Sequence, residues 1–212
     1  HIDSIDICIA PAQTAPRGKA TLQAVLAYCG ERIDVWQDGR WRTRIGWAGL
    51  ERVHFQRLKP RWGGICDQPV LELFPAHYRV RGHVLFRAAL EVPFTQGALA
   101  VAARLRARRL LPPLAAWAGV LQRSAPWFDR WGSAQGGMVV RVTGQDAAGT
   151  ARRRAWHISA DQDHGPEIPC MAAILLARRI VRGDTPAAGA MSSLGLLRLD
   201  EFEPEFARWG MQ

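Results

Sequence analysis

Apolar and polar residues alternate from the start of the chain. Ile5, Ile7 and Ile9 are interleaved with Asp6 and Cys8, the two-residue period of a strand with one buried face. A strand this close to the first residue, His1, suggests material upstream. After a loop with two prolines, Leu22, Val25, Leu26 and Cys29 fall at helical spacing and Gly30 provides the stop. Ile33 and Val35 before Asp38-Gly39, and Trp41, Thr43 and Ile45 after it, predict a hairpin closed by a type I′ turn. From Gln56 to Gly82 glycine and proline interrupt every apolar run, so this part reads as irregular, with a short strand or helical turn near Val70 to Phe74.

Periodicity returns at Val84, Phe86, Ala88, Leu90 and Val92, one face of a strand with Arg87 and Glu91 on the other, ended by Pro93. A helical arm over about 95–131 follows. One helix runs from about Thr95 to Leu111, Pro112-Pro113 breaks it, and a second carries Leu114, Trp117, Ala118 and Leu121 on one stripe. Trp127, Phe128 and Trp131 close the arm as plugs for a core or an interface. Two further strands flank a turn with Asp146 and Gly149, Val140 and Val142 answering Trp156 and Ile158. A helix from Pro166 to Arg182, stopped by Gly183, places Arg178, Arg179 and Arg182 at the negative end of its dipole. A strand near Leu194 to Leu199 and a short acidic helix finish the chain, which reads as a single α+β unit over 1–212.

Charge and cysteine content narrow the picture. The net charge is +9, and all but two of the 28 basic residues are arginine. A nucleic-acid surface normally mixes lysine with arginine, so this skew points to a coding bias as much as a functional one and makes nucleic acid an unfavoured partner. Cys8, Cys29, Cys66 and Cys170 form no C-x-x-C pair and read as free thiols, with no metal site. No apolar run has the length of a membrane span and no signal peptide opens the chain. Asparagine is absent, which excludes an N-glycosylation sequon and suits a cytoplasmic protein.

Candidate chemistry concentrates in one place. No two of the 20 glycines are separated by a single residue, so the G-x-G-x-x-G fingerprint cannot occur; Gly18-Lys19 has Gln13 where a P-loop needs glycine. Metalloprotease and G-x-S-x-G motifs are also missing. The corner Asp161-Gln162-Asp163-His164-Gly165 remains. Asp161, Asp163, His164 and Gly165 could bind a substrate group or donate a proton beside the helix start at Pro166; turn chemistry alone also accounts for every one of them except His164. A calcium loop is excluded because Ala172 stands where the bidentate glutamate belongs. His54, His77, His83 and His157 show no ligand spacing. Arg104, Arg106, Arg108 and Arg109 read as a solvated helix face; Arg152 and Arg154 share one side of a strand, as a sheet surface or an anion site.

The order of "PRGKATLQAVLAYCG", "HVLFRAALEVP", "GGMVVRVTG" with "RRRAWHISA", "HGPEIPCMAA" and "GAMSSLGLLRLDEFEPEF" resembles the C-terminal half of bacterial saccharopine dehydrogenase-like oxidoreductases. The resemblance implies a mixed, largely antiparallel β-sheet with helices packed mainly on one face, like the second domain of two-domain dehydrogenases. It implies a substrate-binding and oligomerisation role, possession of no cofactor site in this chain, and an N-terminal Rossmann domain elsewhere that holds NAD or NADP. That domain and a second copy, in a homodimer, are then the partners. No catalytic residue follows from it. The second reading is a non-enzymatic module that holds a protein or an acidic ligand through exposed tryptophans and arginines.

Overall fold

The strand β1 (Ile2–Ala10) runs through the middle of a sheet, parallel to β6 (His83–Ala88) on one side and antiparallel to β7 (Gly136–Gln145) on the other. A computed structural model describes residues 1–212. The sheet continues from β6 to β2 (Arg32–Gln37) and β3 (Arg40–Ile45), and from β7 to β8 (Ala151–Ala160), giving the order β3-β2-β6-β1-β7-β8. The far edge of β6 is shared: Val84 pairs with Trp36 of β2, while Arg87 and Ala88 pair with Ile65 and Gly64 of β5 (Arg61–Ile65), itself in a hairpin with β4 (Glu51–Val53). Every pairing except β1 with β6 is antiparallel. The expected α+β class and mixed, largely antiparallel sheet are present.

Alternation along the strands divides the residues between two faces. Ile5 and Ile7 of β1, Val84 and Phe86 of β6, and Val35 of β2 join one core with Leu71 of α2 (Val70–His77) and Ala103 of α3 (Pro93–Ala107), and Val25 of α1 (Lys19–Ala27) packs on it. Further along the same face, Met138, Trp156 and Ile158 meet Met171 of α5 (Glu167–Val181) and Phe206 beyond it, in α6 (Glu203–Arg208). Burying a side chain such as Val84, with no exposed surface, contributes about 1.5–3 kcal/mol. Between α3 and β7 the chain forms α4 (Ala118–Ser124), flanked by 3₁₀ turns at Leu114–Trp117 and Ala125–Trp131. There Phe94, Phe128 and Trp131 pack on one another at 5.4, 5.6 and 5.8 Å between ring centres, and Trp127 and Trp131 stay exposed. No helix is long and apolar enough to cross a membrane.

The Asp38-Gly39 turn closes β2 on β3 with positive φ at both residues, 56° and 69°, as a type I′ turn requires. The helical turn expected near Val70 to Phe74 is present as the start of α2, while three other expectations give way. The stretch before it is not wholly irregular but contains β5, too short and too glycine-rich for alternation to register. The strand expected through Val92 stops at Ala88, because the Leu90 N–H is taken by Oε1 of the fully buried Gln96 and the chain turns into α3 at Pro93. Leu194 to Leu199 form no strand: no sheet edge lies beside them, and the Leu196 carbonyl instead accepts from Arg179 Nη1 at 2.6 Å.

At the carboxyl ends of β1 and β6, Glu91 gathers three loops. Its carboxylate accepts the Gln13 N–H at 3.0 Å, the Ser133 N–H at 2.9 Å and the Ser133 hydroxyl at 2.6 Å. Arg61, buried beside it at 3.4 Å, donates to the carbonyls of Pro11 and Gln135. Gly132 allows this approach, since a Cβ there would lie 2.1 Å from Cβ of Gln13. Removing one partner of a buried pair leaves the other uncompensated. Glu91→Ala is therefore expected to cost about 3 kcal/mol in urea unfolding and Glu91→Gln, which keeps an acceptor, clearly less; equal and small losses would show that the pair does not hold the loops.

Candidate functional site

The face of the sheet turned away from the helices carries polar side chains in rows across four strands. Register places His83, Ser4, Thr143 and Arg153 in one row, Leu85, Asp6, Arg141 and Ala155 in the next, and Arg87, Cys8, Val139 and His157 in a third. The segment that follows β4 crosses the third row as a strap. Val53 and Phe55 pack on Cys8 and Val139, Arg141 donates to the His54 carbonyl, and the Gln56 N–H donates to Nδ1 of His157 at 3.3 Å. In the first two rows, beside it, the side chains of His83 and Asp6 stay partly exposed.

At their centre Asp6 bridges an imidazole and a guanidinium. One carboxylate oxygen lies 2.9 Å from His83 Nε2 and the other 3.5 Å from Arg87 Nη1. Arg87, with its side chain 9% exposed, also reaches Glu51 at 2.6 Å, and its Nε has no partner. Ser4 and Thr143 share a hydrogen bond of 2.6 Å. The hydrogen bond to Asp6 raises the pKa of His83 above its ordinary value, against the opposing effect of burial. Burial, helped by Arg141, lowers that of His157 on the same face. Cys8 between them is inert as a nucleophile at neutral pH, because burial pushes its thiol up to about 12. The arrangement offers a proton-carrying imidazole held by a carboxylate, flanked by guanidinium groups that attract an anion.

The corner expected to bind substrate lies elsewhere, at the carboxyl ends of β1, β6 and β8. Asp161, Asp163, His164 and Gly165 are adjacent there, but their side chains face separate neighbours. Asp161 is 3.6 Å from Arg57, Asp163 accepts the Thr14 hydroxyl at 2.8 Å, and His164 Nδ1 lies 3.3 Å from the Trp209 carbonyl with its ring edge-on to that indole. Gly165 supplies the carbonyl for the first turn into α5 through the Ile168 N–H. Gln162 and Asp163 turn the chain with φ of 54° and 62°.

This end of a parallel pair is where a dinucleotide's pyrophosphate would rest on free backbone N–H groups. Here the N–H groups of Gln13 and Ser133 point at Glu91, that of Thr14 at the Ser133 carbonyl, and α3 opens with Pro93, which has none. At this point the N–H groups of Gln13, Thr14 and Ser133 are therefore all engaged within the chain.

No protein-family model matches the sequence, and no curated protein does. Among solved structures, the fold is similar to that of an apo, histidine-tagged saccharopine dehydrogenase (L-Glu forming) from Saccharomyces cerevisiae, with a TM-score of 0.54 and 11% sequence identity over 99% of this chain. The match covers 66% of the yeast chain, so the present chain spans just under two thirds of that protein's length. What the two share is the fold.

The raised pKa of His83 has a defined sign for stability. The contribution of its pair with Asp6 is fully present below the unfolded histidine value of about 6.5 and is lost as pH rises through the higher folded value. NMR titration is expected to find His83 titrating above His157, with the gap narrowed by Asp6→Asn; an unchanged His83 in that variant would show that the carboxylate does not set its protonation.

Proposed function

We propose that this chain is the substrate-side unit of an NAD(P)-dependent oxidoreductase of saccharopine dehydrogenase-like architecture, inactive alone. Its open sheet face forms one wall of a cleft against a separate unit that holds the dinucleotide. The observation that carries this reading is the contrast between the two faces of one sheet: helices cover one, while the other presents Asp6, His83, Arg87 and Arg141 around the central strand. An ordinary solvent-facing sheet has no need of a guanidinium as buried as that of Arg87. The likeness in fold to the yeast enzyme supports the same reading.

In this arrangement Arg87 and Arg141 orient an anionic group of the substrate, and His83, held by Asp6, carries the proton exchanged at the reacting centre. The exposed Trp127 and Trp131 of the helical arm are read as the contact between two such units in a homodimer.

Two titrations test the division of roles. With NADH or NADPH, followed by cofactor fluorescence, the isolated chain is expected to show no micromolar binding, and saturable binding in that range would overturn the proposal. With L-glutamate, the product named for the yeast enzyme, NMR is expected to show the His83 imidazole and the Arg87 guanidinium shifting together. Shifts confined to Asp161, Asp163 and His164 would move the substrate site to the corner.

A further inference from the structure

The outer edge of β8 is open along most of its length. At one end the edge is already paired: the Ser159 N–H donates to the Gln212 carbonyl at 2.7 Å and the Gln212 N–H returns to the Ser159 carbonyl at 3.0 Å. This reciprocal pair is one rung of an antiparallel ladder. Because β8 keeps an unbroken register with β7, the backbone groups of His157, Ala155 and Arg153 point outward in line with Ser159, and no other backbone reaches them.

Hollows flank the same edge on both faces of the sheet. One of about 240 Å³ is bounded by Trp156, Phe206 and Met211 on the helix side; another of about 120 Å³ is bounded by Phe55, Arg57 and His157 under the strap. Beyond them Arg152, Arg153 and Arg154 stand exposed. Arginines on an edge strand discourage a second copy of β8 from pairing there, because like charges would face each other across the ladder. They favour a strand that carries acids.

We infer that β8 is an acceptor edge for an extended acidic segment of a partner protein, which adds a strand antiparallel to β8 and continues the rung made by Gln212. Main-chain hydrogen bonds to His157, Ala155 and Arg153 supply affinity, and alternate side chains supply specificity, as in other cases of strand addition. Residues opposite one another on an antiparallel pair share a face. The residue opposite Trp156 therefore enters the larger hollow and is apolar, while the second and fourth residues after it lie opposite Arg154 and Arg152 and are acidic. This inference is independent of the oxidoreductase reading.

The probe is a synthetic, end-capped peptide of threonines carrying one isoleucine, followed at two-residue spacing by two glutamates, titrated by fluorescence polarisation against the full chain. Saturable binding is expected, with slowed amide exchange at Arg153, Ala155 and His157. N-methylation of the peptide amides that face β8 is expected to weaken binding at least tenfold, and methylation of the alternate amides less than twofold. The protein variant R152E/R154E, on the exposed surface, is expected to lose at least tenfold for the glutamate peptide and to gain affinity for a lysine version. Equal sensitivity to both methylation patterns would reduce the effect to charge attraction and overturn the proposal. So would exchange protection elsewhere, absence of binding, or a chain that occupies this edge by dimerising through β8.

Discussion

A single carboxylate organises the end of the molecule where the central strands finish. Glu91 accepts from the loop after β1 and the loop before β7, and stands against the buried guanidinium of Arg61. Burial lowers the pKa of Arg61 and Glu91 works against that. The pair is costly to desolvate, so its value lies in the hydrogen bonds that complete it: Arg61 also reaches two main-chain carbonyls from different loops. With these loops held, the parallel pairing of β1 with β6 and the antiparallel pairing of β1 with β7 can share one strand in register. The same interaction engages the N–H groups of Gln13 and Ser133 at this end of the parallel pair.

Titratable side chains gather instead on the open face of the sheet. On the open side of the sheet, two histidines differ in protonation tendency because their surroundings differ: His83 leans on a carboxylate, whereas His157 is desolvated by burial and lies near Arg141. A pair of like groups pushed in opposite directions is a common way for one surface to offer both a proton donor and an acceptor. The strap over Cys8 and Val139 keeps one end of that face dry and leaves the other end wet.

Much of the fold was legible in the sequence because its signals are local. The alternation of Ile5, Ile7 and Ile9, the Asp38-Gly39 turn, and the glycine after α5 each act within a few residues. The strand expected at Leu194 to Leu199 failed because apolar character alone cannot show whether an unpaired edge lies beside it. The open-face site was hidden for a related reason. Asp6 and Arg87 were each readable as the outward side of a strand, and His83 as a histidine without ligand spacing, but Asp6 and His83 are separated by 77 positions. Only the parallel pairing of β1 with β6 joins them, and no short-range pattern announces a parallel pairing. The corner at Asp161 to Gly165 was conspicuous because its turn residues are adjacent in sequence.

The central place of β1 bears on how the molecule reaches this state. Its neighbours arrive late in synthesis: the side chain of Ser4 bonds one 139 positions away, and that of Asp6 one 77 positions away. Closing such long loops costs entropy before any contact offsets it, so topologies of this kind fold in milliseconds to seconds rather than microseconds. Within this chain β1 is made well before its partners and is thus among the last strands to find its place, and its row of isoleucines is what a chaperone would meet in the interval.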